Sequence, residues 1–269
     1  MKARRIVGIA VLAAALLLPG VANAAMWVGA SGGVNVVGNS DIKGDTPAAF
    51  ATSFTAHNVK FDNPQALGGL TIGYDFVRTG FLGSNCWPEW MKYFSFAVDF
   101  TYNTFQIRAQ DVGVTGDTPG GPPVPPDGKV GVPFSAFGRM NRVEGTMAAL
   151  TFLFIAKYGF YCDSVSPFGR IVPYVGVGPG IVWSSIRSDG QPFPVVAPGN
   201  WHGDSTDIAL VAEAGVRWVC LSNVSIDTAF RYRWFEPRYA IDSGLGEASA
   251  NAKTTINSYT ALLRVNYHF

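Results

Sequence analysis

Several stretches of the sequence alternate between apolar and polar residues with a period of two. The clearest lies between Phe94 and Phe105, where one set faces another: Phe94, Phe96, Val98, Phe100 and Tyr102 against Ser95, Ala97, Asp99, Thr101 and Asn103. Successive side chains of a β-strand point to opposite faces, so the pattern predicts a strand with one apolar and one polar face. A chain made of such stretches is restricted to β-sheet folds.

Eight stretches are predicted as strands, each near the roughly 9–11 residues that a tilted strand needs to cross a bilayer. They are Met26–Val37, Gly68–Phe76, Phe94–Phe105, Thr146–Tyr158, Ile171–Ile186, Thr206–Val219, Val224–Phe235 and Tyr259–Phe269. Thr146–Tyr158 is apolar on both faces, so its inward and outward positions stay unassigned. The count can be wrong by one hairpin, because the longest connections could hide two further strands.

The N-terminus has the pattern of an export signal. Lys2, Arg4 and Arg5 precede the apolar run Ile6–Leu18, and Ala22-Asn23-Ala24 follows as a small-x-small cleavage site. A transmembrane helix needs about 20 apolar residues, which is more than this run contains. Residues 1–24 are therefore predicted to be a cleaved signal peptide, and residues 25–269 to form one β-barrel domain.

The composition favours a membrane barrel. Charged residues make up 14% of the chain, against about 25% in typical soluble domains. After the signal, no apolar run is long enough for a membrane helix, and only a closed barrel lets strands satisfy every backbone group in lipid. The net charge of +1 gives no indication of nucleic-acid binding.

The connections between the predicted strands alternate in length. The long ones are Gly38–Gln65, Gln106–Gly145, Arg187–Ser205 and Glu236–Lys253, whereas the others are shorter and the last is close to Leu221-Ser222-Asn223. Long external loops and short periplasmic turns are typical of outer-membrane barrels. The sequence therefore predicts an all-β, transmembrane, antiparallel up-and-down barrel of eight strands.

Specific motifs resemble a known family. Pro173-Tyr174-Val175-Gly176-Val177-Gly178-Pro179-Gly180, Trp27–Ala30, Val224–Arg233 and the aromatic end of the last strand are similar to the OmpA-like and opacity-protein group of small outer-membrane barrels. The resemblance implies a bacterial outer-membrane location, contact with outer-membrane lipid and lipopolysaccharide, and recognition of the last strand by the barrel-assembly machinery. Tyr267 and Phe269 are the expected assembly signal. The group is functionally diverse, so the resemblance constrains activity little.

Charged residues occupy the polar faces of the predicted strands. They are Asp75, Asp99, Glu213, Arg217, Asp227, Arg231, Arg233 and Arg264. The interior of an eight-stranded barrel is just wide enough for side chains to fill, and buried charges must be paired. We expect a charge network that closes the interior; the alternative is a selective pore lined by the same charges.

Candidate catalytic residues are few. His57 and His202 lie in predicted external loops, with Asp204 and Ser205 near His202, and His268 lies at the periplasmic end. Catalysis needs a nucleophile, a base and an orienting group in register, and no such set is visible. We expect a monomeric, non-enzymatic protein without cofactor or metal, serving envelope integrity or binding a surface ligand through its loops. The alternatives are a narrow pore for small solutes and a lipid-modifying enzyme.

The three cysteines, Cys86, Cys162 and Cys220, all fall at predicted periplasmic turns. The periplasm is oxidising, so a bridge is expected there. Cys86 and Cys162 lie in consecutive and comparatively long turns, and we expect these two to pair.

Aromatic residues near strand ends are expected at the headgroup level of the membrane: Trp87, Trp90, Tyr158, Trp183, Trp218 and Trp234.

Overall fold

The computed structural model describes residues 26–45, 53–76, 88–119, 131–164, 166–189, 200–242 and 249–269. The predicted signal peptide, residues 1–24, lies outside these residues. One 3-10 helix, Glu89–Tyr93, precedes a strand. Among the described residues, no helix has the length and apolar character needed to span a bilayer.

Fourteen strands follow one another along the described chain. They are β1 Met26–Val37, β2 Ser40–Asp45, β3 Ser53–Val59, β4 Gln65–Asp75, β5 Phe94–Ile107, β6 Gln110–Pro119, β7 Gly131–Met140, β8 Val143–Lys157, β9 Ile171–Asp189, β10 Asn200–Leu221, β11 Val224–Phe235, β12 Arg238–Asp242, β13 Ser249–Thr254 and β14 Ile256–His268.

Eight of these strands form a closed antiparallel barrel. Their order around the wall is β11, β14, β1, β4, β5, β8, β9 and β10, and the pairing of β10 with β11 closes the circle. Each strand lies beside its neighbours in sequence among the eight, as in an up-and-down topology. The predicted eight-stranded barrel is confirmed.

The six shorter strands prolong the wall at the end where the long connections lie. β12, β13, β2, β3, β6 and β7 continue from the upper part of β10 in that order. We call this part the extension, its end of the barrel the long-loop end, and the opposite end the short-turn end. The prediction that the long connections 38–65, 106–145 and 236–253 are loops was wrong, because these six strands lie in them. The described parts of segment 187–205 are also strand, because β9 continues to Asp189 and β10 begins at Asn200.

The polar composition of the extension strands explains why they were missed. β2 reads Ser-Asp-Ile-Lys-Gly-Asp, and only Ile42 and Gly44 are buried in it. Its outer face has three charged residues, and Ile42 is the one apolar side chain on its inner face. The alternation of apolar and polar residues is therefore too weak to recognise in the sequence. His57 on β3 and His202 on β10 consequently lie in strands and not in loops.

The two faces of the barrel wall differ sharply in polarity. Phe230 and Leu263 on the outer face are each 54% exposed, whereas Glu213 and Arg231 on the inner face are 3% and 1% exposed. β8, whose parity the sequence left open, turns Met147, Thr151 and Leu153 inward and Phe154 outward. The outer face is therefore apolar and the inner face carries the charges.

Aromatic side chains form two bands on the outer face. Trp90, Tyr158 and Trp218 are exposed near the short-turn end, and Trp183, Trp234 and Tyr259 are exposed toward the long-loop end. Trp87 lies outside the described residues. Tryptophan and tyrosine are enriched at the two interfaces of a bilayer, so the apolar zone between the bands has the arrangement of a lipid-facing surface.

Glycines on the inner face make room for large side chains. A Cβ atom at Gly73 would lie 2.1 Å from the ring of Trp27, and one at Gly215 would lie 2.8 Å from the ring of Tyr174. Trp27 is fully buried, so its ring has little freedom to move aside. Large residues therefore fit inside this narrow barrel because small residues face them on neighbouring strands.

We predict that Gly73→Ala destabilises the barrel, because the added methyl group overlaps the Trp27 ring and overpacking of this kind costs about 1–3 kcal/mol. Gly32→Ala is the matched control, since no atom outside its chain neighbours lies within 4 Å of the added Cβ. The measurement is the urea midpoint of unfolding for protein refolded in detergent micelles. Equal midpoints for the two variants would contradict the packing argument.

Candidate functional site

Nine charged side chains occupy the inner face of the barrel below the extension. Four lie nearest the short-turn end, four lie at mid-height and one lies above them. In that order they are Asp75, Lys157, Arg217 and Asp227; Asp99, Glu213, Arg231 and Arg264; and Arg233. They come from six strands, and the alternation of each strand turns them inward.

The mid-height group is a closed set of ion pairs. Arg231 Nη1 lies 2.6 Å from Asp99 Oδ2, and Arg231 Nε donates to Glu213 Oε2 at 2.8 Å. Arg264 Nη2 lies 3.3 Å from Glu213 Oε1 and 3.5 Å from Asp99 Oδ1. Each arginine thus contacts both carboxylates, and positive and negative groups alternate around the cluster.

Neutral hydroxyl groups complete the coordination of the two carboxylates. The Thr71 hydroxyl donates to Asp99 Oδ1 at 2.6 Å, and the Tyr174 hydroxyl donates to Glu213 Oε1 at 3.1 Å. Buried charges are tolerated only when both pairing and hydrogen bonding compensate for the lost hydration. The two carboxylates of the mid-height cluster meet both conditions.

The mid-height cluster spans the barrel from wall to wall. In the circular order of the eight strands, β5 lies opposite β11, four positions away in either direction. Asp99 belongs to β5 and Arg231 to β11, so their contact crosses the full width of the interior. One layer higher, Arg233 Nη2 of β11 donates to Thr101 Oγ1 of β5 at 3.1 Å. The interior is therefore bridged at two successive levels.

The group nearest the short-turn end adds a second set of pairs. Lys157 Nζ lies 2.6 Å from Asp75 Oδ1, and Arg217 binds Asp227 with two hydrogen bonds of 2.9 and 3.1 Å. The Arg217 guanidinium also lies over the Trp27 ring, 4.5 Å from its centroid. Such a stacked, bidentate arrangement suits arginine specifically. Arg264 Nη1, 3.6 Å from Asp227 Oδ2, connects this group to the mid-height cluster.

The structure brings together most of the predicted interior residues. Asp75, Asp99, Glu213, Arg217, Asp227, Arg231 and Arg264 form one connected network. Arg233 is also buried, but among the described residues no carboxylate forms an ion pair with it, and its contact is the Thr101 hydroxyl. Five cations, counting Lys157, face four carboxylates, so Arg233 is the uncompensated charge.

The sequence reasoning missed Lys157 and Tyr174 as members of the network. Lys157 ends a stretch that is apolar on both faces, so its orientation was not assigned; in the structure it continues the inward positions Leu153 and Ile155. Tyr174 was noted only as part of the family motif. Gly215 beside its ring is the sequence signal that could have indicated an inward tyrosine.

Above the charges the interior becomes neutral and then apolar. Asn35, Gln65, Asn103, Ser258 and Thr260 form a hydrogen-bonded layer. Apolar side chains follow, around a cavity of about 40 Å³ whose lining includes Phe61, Phe105, Trp201, Tyr239 and Ile256. Burial raises the pKa of Tyr239 to about 12, and its hydroxyl lies 3.0 Å from that of Ser184. The described long-loop half of the interior is therefore mainly apolar and nearly filled, with Asp207 and a few serines as its inward polar groups.

One arrangement of residues outside the network resembles a catalytic set. His57 Nε2 lies 2.8 Å from Thr115 Oγ1, and His57 Nδ1 lies 3.4 Å from Asp41 Oδ2. The His57 and Asp41 side chains are 46% and 52% exposed on an open sheet surface, and Thr115 pairs with Ser135 and Thr55 within the sheet. A hydrolytic site needs donors aimed at a developing oxyanion in a water-excluding pocket. This exposed sheet surface does not form such a pocket.

The remaining candidate residues do not converge. His202 and Asp204 are exposed on the outer face, whereas Ser205 points inward and accepts a hydrogen bond from the Arg238 amide. His268 lies inside the barrel, where its Nε2 is 2.9 Å from the Ser225 hydroxyl. Within the described ranges, no group of three or more His, Cys, Asp or Glu residues is arranged to hold a metal ion.

Cys162, Cys220 and the predicted assembly residues lie at the short-turn end. Cys86 is outside the described residues, so its pairing with Cys162 stays a prediction; Cys162 and Cys220 are both exposed. Tyr267 and Phe269 are exposed on the outer face with ring centroids 5.3 Å apart. The Phe269 amide donates to the Met26 carbonyl at 3.1 Å, so the last residue is held against the first strand.

Comparison with known proteins gives matches only among solved structures. No family model matches the sequence, and no curated protein matches it. The chain is similar to Neisserial surface protein A, with 13% identity, 91% of this chain and 97% of that chain covered, and a TM-score of 0.44. It is also similar to the outer membrane protein OprG from Pseudomonas aeruginosa, with 14% identity, coverage of 91% and 96%, and a TM-score of 0.44.

A third similar structure is Ail, the attachment invasion locus protein of Yersinia pestis, in complex with the heparin analogue sucrose octasulfate. It shares 11% identity over 89% of this chain and 99% of that chain, with a TM-score of 0.34. The three similar structures are small outer-membrane β-barrels. Identities and TM-scores this low carry no information about the activity of this chain.

We predict that Glu213→Ala strongly destabilises the barrel, because it leaves Arg231 and Arg264 short of an acceptor and breaking a buried pair costs about 3–5 kcal/mol. Glu144→Ala is the matched control: Glu144 is partly exposed and pairs with Arg142 at 3.1 Å, and exposed pairs contribute little. Equilibrium unfolding in urea measures both variants. Similar losses of stability for the two would show that the buried pairs are not special.

We predict a different outcome for Arg233, the uncompensated charge. Arg233→Gln removes a buried cation that has no carboxylate partner among the described residues, so the unfolding midpoint should stay level or rise. Arg231→Gln makes the same change two residues earlier on the same face and should lower the midpoint clearly, because Asp99 and Glu213 then lose the cation that pairs with both of them. A comparable loss in Arg233→Gln would show that Arg233 is fully compensated.

Proposed function

We propose that the protein is a non-enzymatic bacterial outer-membrane barrel of the OmpA-like or opacity type. Its interior is closed, and its role is envelope integrity or surface interaction. The apolar outer face between two aromatic bands supports a membrane location, since lipid-facing barrels combine these features. The predicted export signal agrees with this location. The completed circle of eight strands leaves no unpaired edge in the membrane-facing wall, which supports a monomer.

The observation that carries the closed interior is the contact between Asp99 and Arg231 across the full width of the barrel. Opening a path there would separate ion pairs in a medium of low polarity and leave each charge without its partner. That separation is strongly unfavourable. Glu213 also pairs with Arg231, and Arg264 also pairs with Asp99. Because these further ion pairs fix both partners, we expect the interior to stay closed without a gating movement.

The extension is the part of the protein that we assign to the cell surface. In outer-membrane barrels the long connections are external and the short turns periplasmic, which places the long-loop end outside. Six strands carry the wall beyond the upper aromatic band. Most of their outward side chains, including Lys43, His57 and Arg238, are exposed and polar, as a surface that meets water and soluble partners requires. The last strand, with Tyr267 and Phe269, is the proposed contact for the barrel-assembly machinery.

Single-channel recording in planar bilayers tests the closed interior directly. Purified full-length mature protein, folded and monomeric, should insert without producing a stable conductance, because side chains bridge the interior at two levels. A reproducible, sizeable conductance from the folded monomer would overturn the proposal and favour a narrow pore for small solutes. Recordings on the Arg231→Gln protein serve as the comparison, since that change removes the wall-to-wall ion pair.

A separate measurement addresses enzymatic activity. Lipid A mass spectra from cells with and without the gene should be identical if the protein is not an enzyme. An altered acyl chain or phosphate pattern that depends on the gene would instead support a lipid-modifying enzyme. His57→Ala would then be the first variant to examine. His57 contacts both Asp41 and the Thr115 hydroxyl on the outer surface of the described chain, as a base in a hydrolytic site would.

A further inference from the structure

A polar groove of about 410 Å³ lies on the outer face where the barrel wall passes into the extension. We call it the junction groove. Asn39, Ser40, Asp41, Lys43, Asn58, Glu236, Lys253, Thr254, Thr255 and Asn257 line it. They belong to or flank β2, β3, β11, β13 and β14, so the groove forms where the direct pairing of β1 with β14 ends.

The lower border of the junction groove is the upper aromatic band. Asn257 pairs with Trp234 across the β11–β14 ladder, and Asn257 Oδ1 accepts a hydrogen bond from the Tyr232 hydroxyl at 2.6 Å. Glu236 and Arg238 follow Trp234 by two and four residues. With about 3.3 Å of rise per strand residue, the groove starts at the headgroup level and extends outward from it.

Three cations form a row across the upper part of the groove. Arg238 on β12 pairs directly with Lys253 on β13, and Lys253 pairs directly with Lys43 on β2. Like charges directly opposite each other on one face destabilise a sheet, so an uncompensated row of three is unfavourable. Lys253 Nζ has Glu236 at 2.9 Å. Among the described residues, no ion pair includes Lys43 or Arg238.

Asp41, the other carboxylate of the groove, is engaged on the far side. Its Oδ1 accepts a hydrogen bond from the Asn58 amide at 2.8 Å, and its Oδ2 lies 3.4 Å from His57 Nδ1. The Asn58 amide holds the pKa of Asp41 below its usual value. Asp41 is also attracted by Lys43, and Glu236 by Arg238. Two carboxylates of the groove therefore face three cations, and an added anion would relieve the remaining repulsion.

Uncharged polar groups line the rest of the groove, and an apolar strip continues below it. Amides and hydroxyls of Asn39, Asn58, Asn257, Ser40 and Thr255 offer donors and acceptors of the kind that bind sugar hydroxyls. Directly beneath, Val36 pairs with Tyr259 and Val34 with Ala261. Val34, Val36 and Tyr259 are exposed on the outer face. An apolar strip, sugar-binding groups and cations thus follow one another where β1 leads into β2 and, on the other side, where β14 follows β13.

We propose that the junction groove binds the phosphorylated sugar headgroup of an outer-leaflet glycolipid. Lys43 and Lys253 contact a phosphate, the amides and hydroxyls contact the sugar, and the acyl chains lie along Val34, Val36 and Tyr259. This inference rests on the proposed outer-membrane location and on the outward direction of the extension. The continuous apolar strip argues for a lipid and against a soluble sugar phosphate, because a soluble ligand would gain nothing from it.

Binding measurements on the mature protein in detergent micelles test the proposal. The probes are bisphosphorylated lipid A, the same lipid with both phosphates removed, and soluble glucosamine 1-phosphate. Wild-type protein should prefer the bisphosphorylated lipid, and Lys43→Gln/Lys253→Gln should weaken that binding about tenfold or more, since each cation near a lipid surface contributes appreciably. Lys43→Arg/Lys253→Arg keeps both charges and should retain most of the affinity.

The matched control is Lys60→Gln/Lys92→Gln, which removes two exposed cations that do not line the groove. It should bind like wild type, and the unfolding midpoint of each variant confirms that it is folded. Equal affinity of wild type and Lys43→Gln/Lys253→Gln for bisphosphorylated lipid A would overturn the proposal. The proposal would also be overturned if glucosamine 1-phosphate bound to the groove as tightly as bisphosphorylated lipid A, because that result would indicate a soluble ligand.

These outcomes are independent of the closed interior. A protein that conducts ions but still distinguishes the phosphorylated lipid through Lys43 and Lys253 would overturn the closed barrel and leave the groove assignment standing. A barrel that does not conduct ions but binds both lipids equally would overturn the groove assignment and leave the closed barrel standing. The two proposals therefore fail separately, because one concerns the inner face of the wall and the other its outer face.

Discussion

The structure depends on ion pairs across an interior that is too narrow to keep charges apart. Side chains from opposite strands of an eight-stranded barrel meet at its axis, and the contact of Asp99 on β5 with Arg231 on β11 is the direct result. Buried pairs of this kind do not necessarily increase net stability relative to apolar residues, but separating them is costly. Their effect is to hold opposite strands in one register and to close the barrel.

The polarity of the wall reverses between the barrel and the extension, as expected if lipid surrounds the first and water the second. Between the aromatic bands the outer face is apolar and the inner face is charged, because lipid lies outside in the proposed orientation. In the extension the order is inverted: Ile42, Phe54 and Val114 are buried inside, while Asp41, Lys43 and Thr115 are exposed outside. The extension therefore follows the rule of a water-soluble barrel, continuous with a membrane barrel below.

Two cationic sites stand out against this pattern because carboxylates do not fully compensate them. Arg233 is buried inside with the Thr101 hydroxyl as its partner, and the row of Arg238, Lys253 and Lys43 lies on the outer face above the upper aromatic band. Inside, the Arg233 side chain is fully enclosed, with 1% of its surface exposed. Outside, a groove opens beside the row, and this difference makes the outer site the better candidate for binding.

The sequence by itself determined the barrel class and its eight strands, because a strand with one buried face has a period of two in its apolar and polar residues. The period does not say which face turns inward; the export signal, the aromatic end and the loop lengths, which indicate a membrane barrel, predicted the charges to lie inside. It did not determine the strands of the extension, where a face such as that of β2 buries a single large apolar side chain, or the orientation of Lys157 on a strand that is apolar on both faces. Only the tertiary structure decided which charges meet, since Asp99 and Arg231 are 132 residues apart and become neighbours through closure of the wall. The junction groove likewise arises from strands that are distant in the chain, so no local pattern could have indicated it.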